Sequence, residues 1–116
     1  MRNKYLDKII ALRESKTPYA KAIIVGRRQP SSGKPGDKAI ITPDGQIHGW
    51  IGGGCTRGIV LKEALLALRD RKSRLVAISP EERQEGFSHS KHYHMTCQSG
   101  GEVEVYIEPV HPKPQI

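Results

Sequence analysis

A compact single α/β domain, with one mixed β-sheet and two main helices, is the fold this sequence predicts. Three observations predict it. Two stretches carry apolar residues at helical spacing, one near the N-terminus and one after Cys55. Short Val-, Ile- and Ala-rich segments of strand length stand between and after them. The 116 residues suit one domain, which buries roughly two-thirds of its unfolded surface without staples.

The elements follow in order. Tyr5, Ile9 and Leu12 fall at i, i+4 and i+7, with Leu6 and Ile10 beside them, predicting a short amphipathic helix. It ends before Thr17-Pro18, because proline disfavours helix in the residue before it. Tyr19 to Gly26 reads as a strand, with Ala22-Ile23-Ile24-Val25 expected to be buried on both faces. Gln29 to Gly36 is a loop on composition. Asp37 to Thr42 and Gln46 to Ile51 pair as a hairpin about Pro43-Asp44-Gly45, where proline presets the first turn dihedral and glycine supplies a positive one. After Gly52-Gly53-Gly54-Cys55 comes the second helix, with Leu61, Ala64, Leu65 and Leu68 as its core-facing stripe. Arg69, Arg71 and Lys72 crowd its C-terminal end, where the helix dipole favours positive charge.

Leu75 to Ile78 is a short strand, and Ser79 to Ser90 a polar, mobile surface loop. In Glu102 to Glu108, Val103, Val105 and Ile107 alternate with Glu102, Glu104 and Tyr106, which predicts a half-buried strand with an acidic outer side. From Pro109 the chain is expected to be unstructured. The domain is thus expected over 1–110, with 111–116 as a flexible tail.

The net charge of +7 and pI near 9.7 favour anionic partners: a phosphorylated cofactor, an acidic protein face, acidic lipid or nucleic acid. No basic run carries interleaved aromatics to stack bases, which argues against nucleic acid. No apolar stretch approaches the roughly 20 residues that span a bilayer. Two cysteines, Cys55 and Cys97, point to a reducing compartment, so a cytoplasmic location is expected.

Three segments could carry chemistry. Consecutive glycines at Gly52-Gly53-Gly54 expose backbone N–H groups, and the helix behind them adds unpaired donors and a positive dipole end. A thiol at Cys55 is there stabilised as thiolate; equally, three glycines and a buried cysteine turn a tight corner. The segment misses the phosphate fingerprints: Cys55-Thr56-Arg57 is not Gly-Lys-Ser/Thr, and Gly58 falls one residue late for G-x-G-x-x-G. His89, His92, His94 and Cys97 are metal-ligand types, although no second Cys/His pair closes a zinc site, and a solvated His-rich loop explains them as well. Cys97-Gln98-Ser99-Gly100-Gly101 sets a thiol and a glycine pair before the last strand. No nucleophile, base and acid form a triad, so the chain is expected not to be an enzyme.

Taken together, Ser31-Ser32-Gly33-Lys34-Pro35-Gly36-Asp37-Lys38, Thr42 to Cys55 and Cys97 to Pro109 resemble the N-terminal domain of the XdhC/CoxI family, accessory proteins of xanthine dehydrogenase and carbon monoxide dehydrogenase. The resemblance implies a maturation chaperone that binds the molybdenum cofactor, as molybdopterin or its dinucleotide form, as cargo. It implies help in sulfurating that cofactor and inserting it into a molybdenum hydroxylase. Implied partners are the apo molybdenum hydroxylase and a cysteine desulfurase. Carried over residue by residue, Ser31, Ser32, Lys34 and Gly36 match the polar loop, Gly52, Gly53, Gly54 and Cys55 the glycine-cysteine turn, and Cys97, Gly100 and Gly101 the closing motif.

Gly33 stands where the family commonly has proline, Thr56 and Arg57 follow the cysteine where an acidic residue is common, and Gln98-Ser99 lengthens the closing motif. Longer members carry a C-terminal Rossmann-type half that this sequence lacks, which implies a separate Rossmann-type partner chain or a homo-oligomer. The alternative reading is a small redox or metal-binding module using Cys55, Cys97 and the His89–His94 cluster.

Overall fold

The computed structural model describes residues 4–28, 34–52, 54–79, 91–94 and 102–112, with backbone alone at 27–28, 54–55, 79, 91–94 and 102. Two helices and six strands follow one another as α1 (Lys4–Glu14), β1 (Tyr19–Arg28), β2 (Lys38–Ile41), β3 (Ile47–Gly49), α2 (Gly54–Asp70), β4 (Arg74–Ser79), β5 (Lys91–His94) and β6 (Glu102–Val110). The strands form one sheet in the order β3-β2-β1-β6-β4-β5. Every neighbouring pair is antiparallel except β4 and β5, so the sheet is mixed, as the sequence predicts.

The helices lie on opposite faces. On one face Val60, Ala64 and Ala67 of α2 pack on Ala20, Ala22, Ile24, Ile41, Val76, Ile78 and the Val103-Val105-Ile107 row. On the other, Leu12 of α1 packs with Tyr19 and Ile40, flanked by Tyr5, Ile9 and Val110. Alternation along β1 and β2 divides the two cores: Tyr19 and Ile40 face α1, whereas Ala20, Ala39 and Ile41 face α2.

Local chemistry sets the boundaries. α1 closes in a Schellman motif, with Thr17 N–H donating to the Leu12 carbonyl at 2.9 Å, Lys16 N–H to Arg13 at 3.2 Å, and Lys16 left-handed at φ 56°. At the β2–β3 turn, Gly45 N–H donates to the Thr42 carbonyl and Thr42 N–H to Gln46, with Gly45 at φ 87°. The Thr42 hydroxyl donates to the Asp44 carboxylate and steadies the turn.

Four expectations need correction. Val25 is 51% exposed rather than buried, because the ladder steps from Ile24↔Val105 to Gly26↔Glu104 and leaves Val25 as the extra residue of a β-bulge. The expected stripe of Leu61, Ala64, Leu65 and Leu68 does pack on the core, but its leucines stay half-buried and the fully buried line is Val60, Glu63, Ala64 and Ala67. A strand, β5, stands at 91–94 beside β4, where no separate element was expected. Finally, β6 runs on to Val110, with Pro109 opposite Ala20 and Val110 opposite Tyr19. Its ladder to β4 stops at Ile107, so one side of β6 is open where proline lacks an N–H, the placement that proline tolerates. Residues 80–90, expected as a loop, and 113–116 of the expected tail lie outside the described residues.

Candidate functional site

The topology brings the strands that flank the three sequence motifs to one end of the sheet. β1 finishes there, with Arg28 opposite Glu102 at the start of β6. β2 starts there, and β3 finishes there, with Gly49 opposite Ala39. β5 also runs toward it, with His94 opposite the last residue of β4. The chain therefore reaches this end before the loop of 29–36, before Gly52–Cys55, and on both sides of 97–101. α2 starts from the same end and runs back, so its N-terminal dipole end faces the shared region.

The part of the first loop that is described proves more closed than its composition implies. Lys34 N–H donates to the Asp37 carboxylate at 2.9 Å, Asp37 N–H returns to the Lys34 carbonyl, and Gly36 N–H donates to the Ile24 carbonyl at 2.8 Å. The Lys34 backbone donor is thus spent within the turn and that of Gly36 on β1, while the Lys34 side chain is exposed. Gly36 holds φ 93° with nothing near a hypothetical Cβ, so glycine is needed for the dihedral alone. Asp37, which clasps the loop, escaped the sequence reading; its place three residues after Lys34 is the turn signal that could have found it.

The second motif begins with a close backbone approach. Gly49 sits at φ 121°, and a Cβ there would lie 2.5 Å from the Lys38 carbonyl oxygen. Trp50 N–H donates to that same oxygen at 3.2 Å, while its side chain is 49% exposed. Gly52 is buried at φ 95° and leads the chain into α2. Gly54 and Cys55 are the first two residues of that helix, so the cysteine backbone stands in its first turn, as expected. No acidic residue occupies this turn, and the half-buried Arg57 stands in it instead. A cation there opposes the usual preference of a helix N-terminus for negative charge, and the two together favour an anion arriving from outside.

Ser31, Ser32, Gly53, Cys97, Gly100 and Gly101 lie outside the described residues, as does His89; of Cys55, His92 and His94 the backbone alone is described. Among the described residues no group of three His, Cys, Asp or Glu side chains could hold a metal ion. No helix among them is long and apolar enough to cross a membrane.

At the other end of the sheet lies an ion-pair cluster that sequence reading missed. Glu63 is fully buried on α2 and accepts from Arg74 Nη1 at 3.2 Å; Arg74 Nη2 also binds Asp70, about two turns further along the helix. The hydrogen bond from Arg74 holds the Asp70 carboxyl below its ordinary pKa. Burial works against the Arg74 charge, but its bonds to Asp70 and Glu63 outweigh this and raise its pKa. The Asp44 carboxyl is likewise lowered, first by the Thr42 hydroxyl that donates to it.

The XdhC and CoxI family model matches residues 12–79, from the last turn of α1 through β4, and takes in the first two motifs. Among solved structures, the chain is similar to a xanthine dehydrogenase from Bacillus halodurans, at a TM-score of 0.68 and 21% identity. That match covers 90% of this chain and 30% of the other, so the chain spans about a third of its length. The likeness establishes a shared fold. No curated protein sequence matches the chain. With more than half of its residues under the family model, the chain belongs to the XdhC and CoxI family.

Proposed function

We propose that the chain is the cofactor-holding unit of a maturation factor for molybdenum hydroxylases of the xanthine or carbon monoxide dehydrogenase type. It binds the molybdenum cofactor, as molybdopterin or its dinucleotide form, as cargo at the motif end of the sheet. There it assists sulfuration by a cysteine desulfurase and insertion into the apoenzyme. The role is holding rather than turnover. The reading rests above all on one observation: strands β1, β3, β5 and β6 direct three glycine-bearing segments, distant in sequence, to the end where α2 begins. Family membership supports it, as does the name of the structural neighbour.

The residues present suit a phosphate-bearing pterin. Gly52, at a positive φ, brings the backbone in close, and the first turn of α2 offers its N–H groups with Arg57 beside them and no carboxylate to compete. Exposed Lys34 adds a cation at the same end. The cofactor supplies the molybdenum centre on which the recipient enzyme depends. This chain contributes an anion cradle, a positioned Cys55 backbone and the closing segment that carries Cys97.

The test is retention of molybdopterin by the purified chain through gel filtration. Wild type is expected to retain it, and Cys55→Ala to retain less or to yield less sulfurated cofactor. Equal retention and sulfuration by wild type, Cys55→Ala and Cys97→Ala would remove both thiols from the mechanism. Failure of the wild type to bind sinks the cofactor reading, and stoichiometric zinc in untagged protein would favour the metal-binding alternative.

A further inference from the structure

The cavity of about 760 Å³ between the C-terminal turn of α1 and the end of β6 lies at the opposite end of the sheet from the motifs. Its size falls in the range of small-molecule sites. Its lining joins the apolar Pro109, Val110 and Pro112 and the nearly buried Tyr19 to a set of cations. Arg13, Lys16 and Lys21 stand there against one carboxylate, Glu108, which Lys21 already meets at 3.3 Å. Arg13 and Lys16 make no ion pair among the described residues, so the lining carries uncompensated positive charge.

Two details suit this lining to an anion. A helix C-terminus ordinarily repels negative charge through its open carbonyls. Here those of Ala11, Leu12 and Arg13 are occupied by the N–H groups of Ser15, Thr17 and Lys16 at 2.9–3.2 Å. The left-handed conformation of Lys16, at φ 56°, is a strained one for a lysine, and asparagine or glycine would relieve it. His111 also lines the cavity. Its Nε2 lies 3.1 Å from the Leu68 carbonyl, which can only accept, so Nε2 carries the hydrogen and the ring is tied to α2.

We propose that this groove binds a small organic phosphate, with the phosphate on Arg13 and Lys16 and the apolar body on Tyr19 and Val110. The site is independent of the cofactor reading, since it lies at the other end of β1. The test uses amide NMR shifts of the full chain titrated with phenyl phosphate, inorganic phosphate and a hexaglutamate peptide. Phenyl phosphate is expected to bind tightest and to move the amides of Lys16, Lys21, Val110 and His111 while leaving Arg57 in place. The double variant Arg13→Gln/Lys16→Asn keeps a helix former and a residue that accepts the left-handed backbone, so its fold should survive. Its affinity for phenyl phosphate is expected to fall about tenfold or more, the scale of one charge-assisted contact. Three results would overturn the proposal: unchanged affinity in that variant with a native amide spectrum, tighter binding of hexaglutamate, or shifts confined to the start of α2.

Discussion

Among single residues, the glycines divide by what forces them. At Gly49 a positive φ coincides with a carbonyl oxygen 2.5 Å from where a Cβ would stand; at Gly45 the φ of 87° meets open space. Gly45→Ala is therefore expected to cost about 1 kcal/mol, the strain of a left-handed alanine alone. Gly49→Ala should cost at least twice that, because β2 and β3 must also part at Lys38. Urea denaturation of the two variants checks the order, and equal costs would mean that the strand pair yields easily. The sequence showed that a turn stood at Gly45, since proline and aspartate before it are local signals. It was silent about Gly49, whose constraint comes from a carbonyl eleven positions back in the chain and exists only once β2 and β3 pair.

For the elements, legibility follows the range of the forces. α1, the hairpin and the alternating β6 were readable because periodicity, proline and turn chemistry act within a few residues. The bulge at Val25, the reach of β6 through Pro109 and the partner of Glu63 were not, because each depends on a strand or helix remote in sequence. A buried glutamate inside an apolar stripe reads as a solvated position until Arg74 is placed beside it. The α1 face also has a core of its own. Leu12→Ala, at a site 6% exposed, is expected to cost about 2–5 kcal/mol, within the range for large-to-small core changes. Its effect should be local: hydrogen exchange should quicken in α1 and much less in the β1–β6 ladder under α2. Uniform acceleration across the sheet would show the two cores to be one cooperative unit.

Taken whole, the molecule joins a strongly positive chain to a few carboxylates held in hydrogen bonds. Asp70 and Asp44 have folded pKa values below their ordinary ones, so their contribution is present above the unfolded pKa and is lost as pH falls through the folded value. Urea midpoints are thus expected to hold from neutrality to about pH 5 and to decline below about pH 4, where these groups and others take up protons. Asp70→Asn should be less stable than wild type at neutral pH and show a shallower acid limb. An identical limb would assign the acid sensitivity to general charge repulsion. As to the candidate site, composition and resemblance pick out its segments, and only strand order and direction show that the strands flanking them converge on one end.

That strand order has a further consequence. β1 is ten residues long and carries the motif end at Arg28 and the cationic groove at Tyr19. Extended strand of that length holds the two regions roughly 30 Å apart. A body bound at one end does not shade the other, so the two ends can be occupied at the same time without competing for space.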